Sequence, residues 1–590
     1  MDMKWDLSRI YQNEDAFLKD LEFFKNDITP KMAALEGKLG EEKDFVSFFL
    51  LEKQADEIIN KLYMFASHRS DLNRKDVKNA EDESKVELAV QDFSSRISFE
   101  EPEILALGEA RVKEILKKNP EVQEFDFELS KLFRREKHVL EKKSEELLSK
   151  YSPLEGVGSN LYSNLTVADY SPKQATLSDG SLITVSQSSW TRQIAEAKTA
   201  EDRKTIFETL YSYYDTHKNA YGAIYDSVLQ AELAIKKTRG FDSILEEHLF
   251  NNNIPVSIFH NLVEAANKGS APLKKYYELR RKYLGLEKHR SYDRFIELAK
   301  SEKKYSYEEA KDLFFDSIKA FPSDFQSKAH EVLKDGYVDV YPSEGKRTGA
   351  YSSGGANIHP YILFNFEGTL DDCFTLAHES GHSIHTLYSM EAQPITKQNY
   401  TIFVAEIAST FNEHNLLDYL MGSNDLSKND KIFLLQKAID EICSTFYRQT
   451  LFGQFELEAS QIAERGEPIN YEVLSKIMIH LYSDYFGIDI TEENVKPLVW
   501  AYIPHLFYTP FYVYQYATSF TASMLIYKNV KEGKKGAFND YLNLLRSGGS
   551  EFPIDEVKKA HVDLTDPASF KAVIERMEEL VNTLESLLKE

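Results

Sequence analysis

LDDCFTLAHESGHSIHTLYSM (370–390) is the most informative stretch of the chain. Leu376, Ile384 and Leu387 give it apolar support at helical spacing, and the next breakers lie beyond Met390, so the spacing predicts one helix. Within it His378, Glu379 and His382 form H-E-x-x-H. A four-residue step is a rotation of about 400°, so both imidazoles leave one face, with Glu379 about 100° away from His378. Two imidazoles one turn apart suit a divalent cation, and the carboxylate between them suits a base acting on water. Two packed, hydrogen-bonded histidines would give the same five letters, so the text that follows has to decide.

That text is TIFVAEIASTFNEHNLLDYLM (401–421), a second helical pattern after a short loop containing Pro394. Glu406 and Glu413 stand seven residues apart, two turns and nearly one face. An apolar face rejects unpaired carboxylates, so they face either solvent or a partner. A catalytic zinc site takes three protein ligands and keeps a position for water; Glu406 completes a His2Glu set with His378 and His382. Glu413 is then placed to accept a hydrogen bond behind the ligands or to support Glu406. His385 shares the histidine face but would close the fourth position, so it reads as a supporting residue and not a ligand. Asp371 and Asp372 match the helix dipole at its N-terminus, and Cys373 reads as a buried side chain.

Outward from these helices the pattern is mostly helical. From residue 12 to about 150 it is amphipathic and heavily charged, as in FVSFFLLEKQADEIINKLYMFASH (45–68). Asp179-Gly180, between ATLS and SLITV, predicts a hairpin. Helical text resumes over 199–235, 254–305 and 306–334. Residues 337–367 read as strand, glycine-rich turn and strand, without a P-loop or a G-x-G-x-x-G. No linker of Pro, Gly or Ser separates parts. The division expected along the chain is a helical N-terminal region, 1–200, with a hairpin near 175–186, followed by a helical catalytic region, 201–590.

The 590 residues carry 71 Lys and Arg against 95 Asp and Glu, a net charge of −24, which opposes a nucleic-acid partner. Hydrophobic residues make up 42%, a globular composition, and no 18-residue apolar run suggests a membrane span. Two cysteines cannot build a disulfide framework, and the N-terminus has no signal-peptide apolar core, so a cytoplasmic location is expected. HLFYTPFYVYQYATSF (505–520) packs four tyrosines and a histidine into twelve positions. Such a stripe fills a core in most proteins, but buried hydroxyls need partners. A tyrosine hydroxyl and an imidazolium can both donate to an oxygen that becomes negative when water attacks an amide.

Several stretches together resemble the thimet oligopeptidase and oligoendopeptidase F superfamily of zinc peptidases, and most closely its oligoendopeptidase F branch. They are HESGHSIH (378–385), FVAEIASTFNE (403–413), GKRTGAY (345–351), IPHLFYTPFYVYQYATSF (503–520) and LFRREKHVLEKKSEELLS (132–149), with a weaker WDLS (5–8). The resemblance implies His378, His382 and Glu406 as ligands of one zinc ion per chain and Glu379 as catalytic base. It also implies His505 and Tyr516 as stabilisers of the transition state. Tyr508, Tyr512 and Tyr514, with Gly349 and Tyr351 in the strand region, become candidate substrate contacts. Ser380 stands where the motif more often has a larger apolar residue, so a packing change is expected there.

The expectation is therefore a predominantly α-helical protein with a zincin-type H-E-x-x-H domain and a small β element. The resemblance adds helices enclosing a deep channel that admits short unstructured peptides. The expected activity is zinc-dependent endopeptidase action on such peptides, with no nucleic-acid or membrane partner. A metallocarboxypeptidase is the nearest enzymatic alternative; a non-catalytic peptide-binding protein is the alternative from another class.

Overall fold

The computed structural model describes residues 3–301, 303–423 and 426–589. Helices dominate, as the periodicity predicts. Among the described residues the strands are five and short: β1 (Lys173–Thr176), β2 (Leu182–Val185), β3 (Val338–Asp339), β4 (Tyr351–Gly355) and β5 (Ile358–Leu363). No described helix is long and apolar enough to cross a membrane. Cys373 and Cys443 are both buried, and neither forms a disulfide among the described residues.

Two compact units arise, each from three stretches of chain. The first comprises Met1–Lys137, Glu302–Gly422 and Ile526–Val562; the second comprises His138–Ser301, Ser423–Leu525 and Asp563–Glu590. Compactness therefore divides the chain differently from a single cut at residue 200, because each unit draws on chain from both sides of that point.

In the first unit the helix Glu42–Leu72 buries Phe45, Phe48 and Phe49 in an aromatic core. Its sheet has the order β3-β5-β4, with β3 parallel and β4 antiparallel to β5. The β4–β5 turn is Ala356-Asn357, with φ of 49° and 65°, the two left-handed positions a tight hairpin requires. Trp5 donates its indole N–H to the Ile362 carbonyl at 2.8 Å, fastening the N-terminal segment to β5. Lys346 is buried beneath the sheet, where its ammonium reaches Asp339 Oδ1 at 2.5 Å and the Tyr341 carbonyl at 2.7 Å. GKRTGAY thus contributes a buried cation that ties β3 to the loop before β4.

In the second unit β1 and β2 pair antiparallel around the Asp179-Gly180 turn. The helical reading of 254–305 is corrected. Helices cover Val256–Lys268 and Ala271–Tyr283, after which Gly285 at φ 65° ends the run. Among the described residues of that stretch, only a 3-10 turn, Asp293–Phe295, follows. The irregular segment is held by side chains that periodicity cannot reveal. Buried Arg280 donates to the Asp293 and Arg294 carbonyls at 3.0 and 3.1 Å, and Arg203 pairs with Asp293 at 2.8 Å.

Candidate metal centre

The H-E-x-x-H helix runs Leu370–Ala392. Thr369 caps it, accepting from the Asp372 N–H, while Asp372 returns a bond from the Thr369 N–H, a reciprocal box that fixes the entry of the chain. Asp372 is therefore a capping residue as well as a charge at the dipole. Leu376 and Ile384 are fully buried, so the opposite face carries the histidines.

The second helix, Ile402–Met421, crosses this one closely. Gly381 sits at the crossing: a Cβ there would lie 2.5 Å from the Ala408 carbonyl oxygen and 2.6 Å from Ser409 Cα. Asn412 adds a bond from its amide to the Ala377 carbonyl at 3.0 Å. Small Ser380, one residue before Gly381, is fully buried, and its Oγ turns back to the Leu376 carbonyl at 2.7 Å; Ser383, also fully buried, faces Ser352 of β4 at 2.8 Å. The small residue at 380 serves helix packing, as its motif position suggested. Gly381 itself was not singled out in the sequence; its signal was a glycine inside an otherwise strong helix.

The close crossing brings three donor atoms together. His378 Nε2 and His382 Nε2 are 3.2 Å apart, and Glu406 Oε2 lies 3.4 Å and 3.5 Å from them. A tetrahedral zinc with ligands at about 2.0–2.1 Å has corner-to-corner edges of about 3.3–3.4 Å. The three atoms thus match three corners of one tetrahedron, leaving the fourth unclaimed by any of them. Ser409 Oγ donates to Glu406 Oε2 at 2.9 Å, and Glu413 Oε1 lies 3.5 Å from His378 Nδ1. Glu413 therefore stands against the His378 imidazole. Glu379 is buried, and its Oε2 has no hydrogen-bond partner among the described residues.

Charge is arranged to match. Burial alone would lower the His378 imidazole, but Glu413, Glu379 and Glu406 outweigh it and raise it to about 10. Burial would raise the Glu406 carboxyl, yet His382 and His378 hold it at about 2. Burial pushes Glu379 above the ordinary carboxylate range, with the two histidines opposing. A site that keeps a proton on an imidazole beside a carboxylate, in the absence of metal, is one where a cation replaces that proton.

The remaining expected residues fall in several places. His385 is buried and stacks on Tyr400, centroids 3.6 Å apart, outside the donor triangle; burial lowers it to about 3. Gly349, at φ 84°, lies in the turn before β4, where its carbonyl accepts from Asn365 at 2.7 Å. The Tyr351 hydroxyl is already committed to Asp71 at 2.8 Å. In the second unit His505, Tyr512 and Tyr516 gather: His505 stacks parallel to Tyr512 at 5.9 Å and meets the edge of Tyr516 at 6.4 Å. Burial lowers the His505 imidazole from its ordinary value, which favours its neutral form. Tyr508 is exposed, whereas Tyr514 is buried against Phe259 and belongs to the core.

A close pair of helices carrying H-E-x-x-H and a third carboxylate ligand position defines a zincin-type metallopeptidase. Comparison with known proteins narrows the class. The profile of Peptidase family M3 matches residues 193–576, and that described as Oligopeptidase F matches 103–171. Oligopeptidase PepF of Bacillus subtilis is 32% identical over 586 residues, covering 99% of this chain and 87% of the relative. An oligoendopeptidase F homolog of Borreliella burgdorferi is also 32% identical, covering 98% and 97%. The crystal structure of oligoendopeptidase-F from Enterococcus faecium superposes with a TM-score of 0.75 at 25% identity, covering 98% of each chain. The chain belongs to peptidase family M3, whose members are zinc-dependent, and is an oligopeptide-cleaving metalloendopeptidase.

Proposed function

We propose that His378, His382 and Glu406 hold one zinc ion per chain and that Glu379 is the base for hydrolysis of internal peptide bonds. The observation that carries this reading is the donor triangle of 3.2, 3.4 and 3.5 Å, with the buried Glu379 oxygen, without a hydrogen-bond partner among the described residues, next to His378 in sequence and on the same helix. When bound, zinc supplies Lewis acidity, making a water more acidic and a carbonyl more electrophilic.

The chain supplies the rest. Glu379 takes a proton as the water oxygen bonds to the scissile carbon, and gives it to the amine nitrogen as the C–N bond breaks. Its raised pKa suits it to hold that proton between the two steps. Glu413 keeps His378 oriented through Nδ1, and Ser409 does the same for Glu406. The neutral N–H of His505 and the hydroxyl of Tyr516 are donors suited to the tetrahedral oxyanion. Tyr508 and Tyr512 are assigned to the peptide's side chains. β4 has a ladder partner, β5, on one side only among the described residues, so its other edge suits an extended peptide backbone beside Gly349–Asn365. We place this turnover of short, unstructured peptides in the cytoplasm, with no nucleic-acid or membrane partner.

Glu379→Gln tests the assignment. It should still bind one equivalent of zinc while kcat falls about 10³-fold, within the range general-base catalysis supplies. Zinc-loaded E379Q turning over at the wild-type rate would remove Glu379 from the reaction.

A further inference from the structure

His505 and Tyr516 are separated by ten residues whose path turns at Phe511. That residue has φ of 55°, a left-handed conformation that bulky side chains rarely adopt and that costs free energy to maintain. On either side the chain is closed by short turns: the Tyr512 N–H donates to the Thr509 carbonyl at 3.2 Å, and the Gln515 N–H to the Tyr512 carbonyl at 3.1 Å. The Phe511 N–H, which these turns leave unused, donates to Glu456 Oε1 at 2.7 Å.

Glu456 lies on the helix Arg448–Glu464 and is 2% exposed. Its second oxygen has no hydrogen-bond partner among the described residues. Burying a carboxyl for one backbone bond is costly, and an apolar side chain would pack there more cheaply. What the carboxyl secures is the left-handed turn. Around it the Phe511 ring meets Phe259 at 5.8 Å and the His248 ring at 5.4 Å, and His248 is fixed by Glu232 at 2.8 Å. Gly453, one turn before Glu456, lets Phe259 and Tyr514 close over the same helix.

We propose that Glu456 is a positioning residue for peptide hydrolysis: by accepting the Phe511 N–H it holds the turn that sets Tyr512 and Tyr516 against His505. This rests on the reading that His505 and Tyr516 stabilise the oxyanion. Glu456 acts through them and touches no substrate. Burial pushes its carboxyl up to about 8, so near neutral pH it is largely the uncharged acid, and glutamine is its isostere.

The test uses the full chain loaded with zinc and an internally quenched peptide. Glu456→Gln keeps an acceptor for Phe511 and should retain kcat within about threefold. Glu456→Leu removes the acceptor and should lower kcat about 10- to 100-fold with KM within about threefold, the range seen when a residue behind a site is lost. Tyr516→Phe alone should lower kcat about 100-fold. The double variant E456L/Y516F should be no worse than Y516F within about threefold, because both changes disable the same donor. A wild-type kcat in E456L, an E456Q as impaired as E456L, or losses that multiply in the double variant would each overturn the proposal. If Y516F alone keeps full kcat, the oxyanion reading itself has failed; if Y516F is impaired and E456L is not, only the role of Glu456 has. Should E456L not fold, Glu456→Met replaces it, and failure of both to fold would assign Glu456 to stability and overturn the proposal.

Discussion

Gly381→Ala perturbs the metal centre without touching a ligand. The added methyl would sit 2.5 Å from the Ala408 carbonyl oxygen, 2.6 Å from Ser409 Cα and 2.7 Å from the Ala408 carbonyl carbon, all backbone of the helix that carries Glu406. Ordinary contact begins at 3.4 Å, so the helices must part by about 3.4 − 2.5 = 0.9 Å. Carried in full to Glu406 Oε2 and directed away from the histidines, that displacement stretches its 3.4 Å and 3.5 Å separations to about 4.3 and 4.4 Å. Metal–ligand distances tolerate only about 0.2 Å, so the third ligand is effectively lost. Zinc affinity should fall at least about 100-fold, or about 2.7 kcal/mol. The forced packing should cost a further 1–3 kcal/mol of stability, by about the usual scale for overfilled interiors. Competition against a chromophoric chelator reads the affinity, and thermal melting with and without zinc separates it from the loss of stability. G381A binding zinc within about threefold of wild type would refute the argument that this crossing sets the ligand triangle.

Three further outcomes follow from the same geometry. Glu413→Ala removes the carboxylate 3.5 Å from His378 Nδ1 and should weaken zinc binding about 10- to 100-fold in the same competition assay, with kcat of the fully loaded enzyme less affected. In metal-free protein the raised His378 pKa stabilises the fold fully below its unfolded value of 6.5, and that contribution is lost as pH rises towards about 10. Glu406 works in the opposite direction, its contribution present above 4.5 and lost as pH falls towards about 2, so chelated protein should melt lower at both extremes than at pH 6–7. Calorimetric zinc titration near neutral pH should release about one proton in excess of buffer effects, as the cation replaces the proton on His378; release of none would contradict the raised imidazole.

Local chemistry was legible in the sequence and contact between distant segments was not. H-E-x-x-H and the seven-residue spacing of Glu406 and Glu413 declare a helix face because helical geometry is set within a few residues. The Asp179-Gly180 hairpin is readable for the same reason. Gly381 looks like a weak point in a helix until the neighbouring backbone appears against it. The glycine-rich stretch announces a turn, but the tight turn itself falls on Ala356-Asn357, after the glycines. The stretch after Tyr283 has helical composition, yet Arg280 and Arg203 satisfy its backbone and Asp293 in an irregular path. The expected substrate contact Tyr514 alternates with Tyr512 and Tyr516, and only packing against Phe259 separates the core residue from its neighbours. The two units, each built from three stretches, could not be read at all from composition along one dimension.

The proposed function has one zinc ion on His378, His382 and Glu406 supporting cleavage inside short peptides. Product mass spectrometry on an unstructured, C-terminally amidated peptide of about nine residues tests it most directly, run on purified, chelated and zinc-restored protein with metal content measured in each. Internal fragments should disappear on chelation and return with one equivalent of zinc per chain. An intact peptide in the zinc-loaded sample, or fragments that survive complete removal of metal, would contradict it.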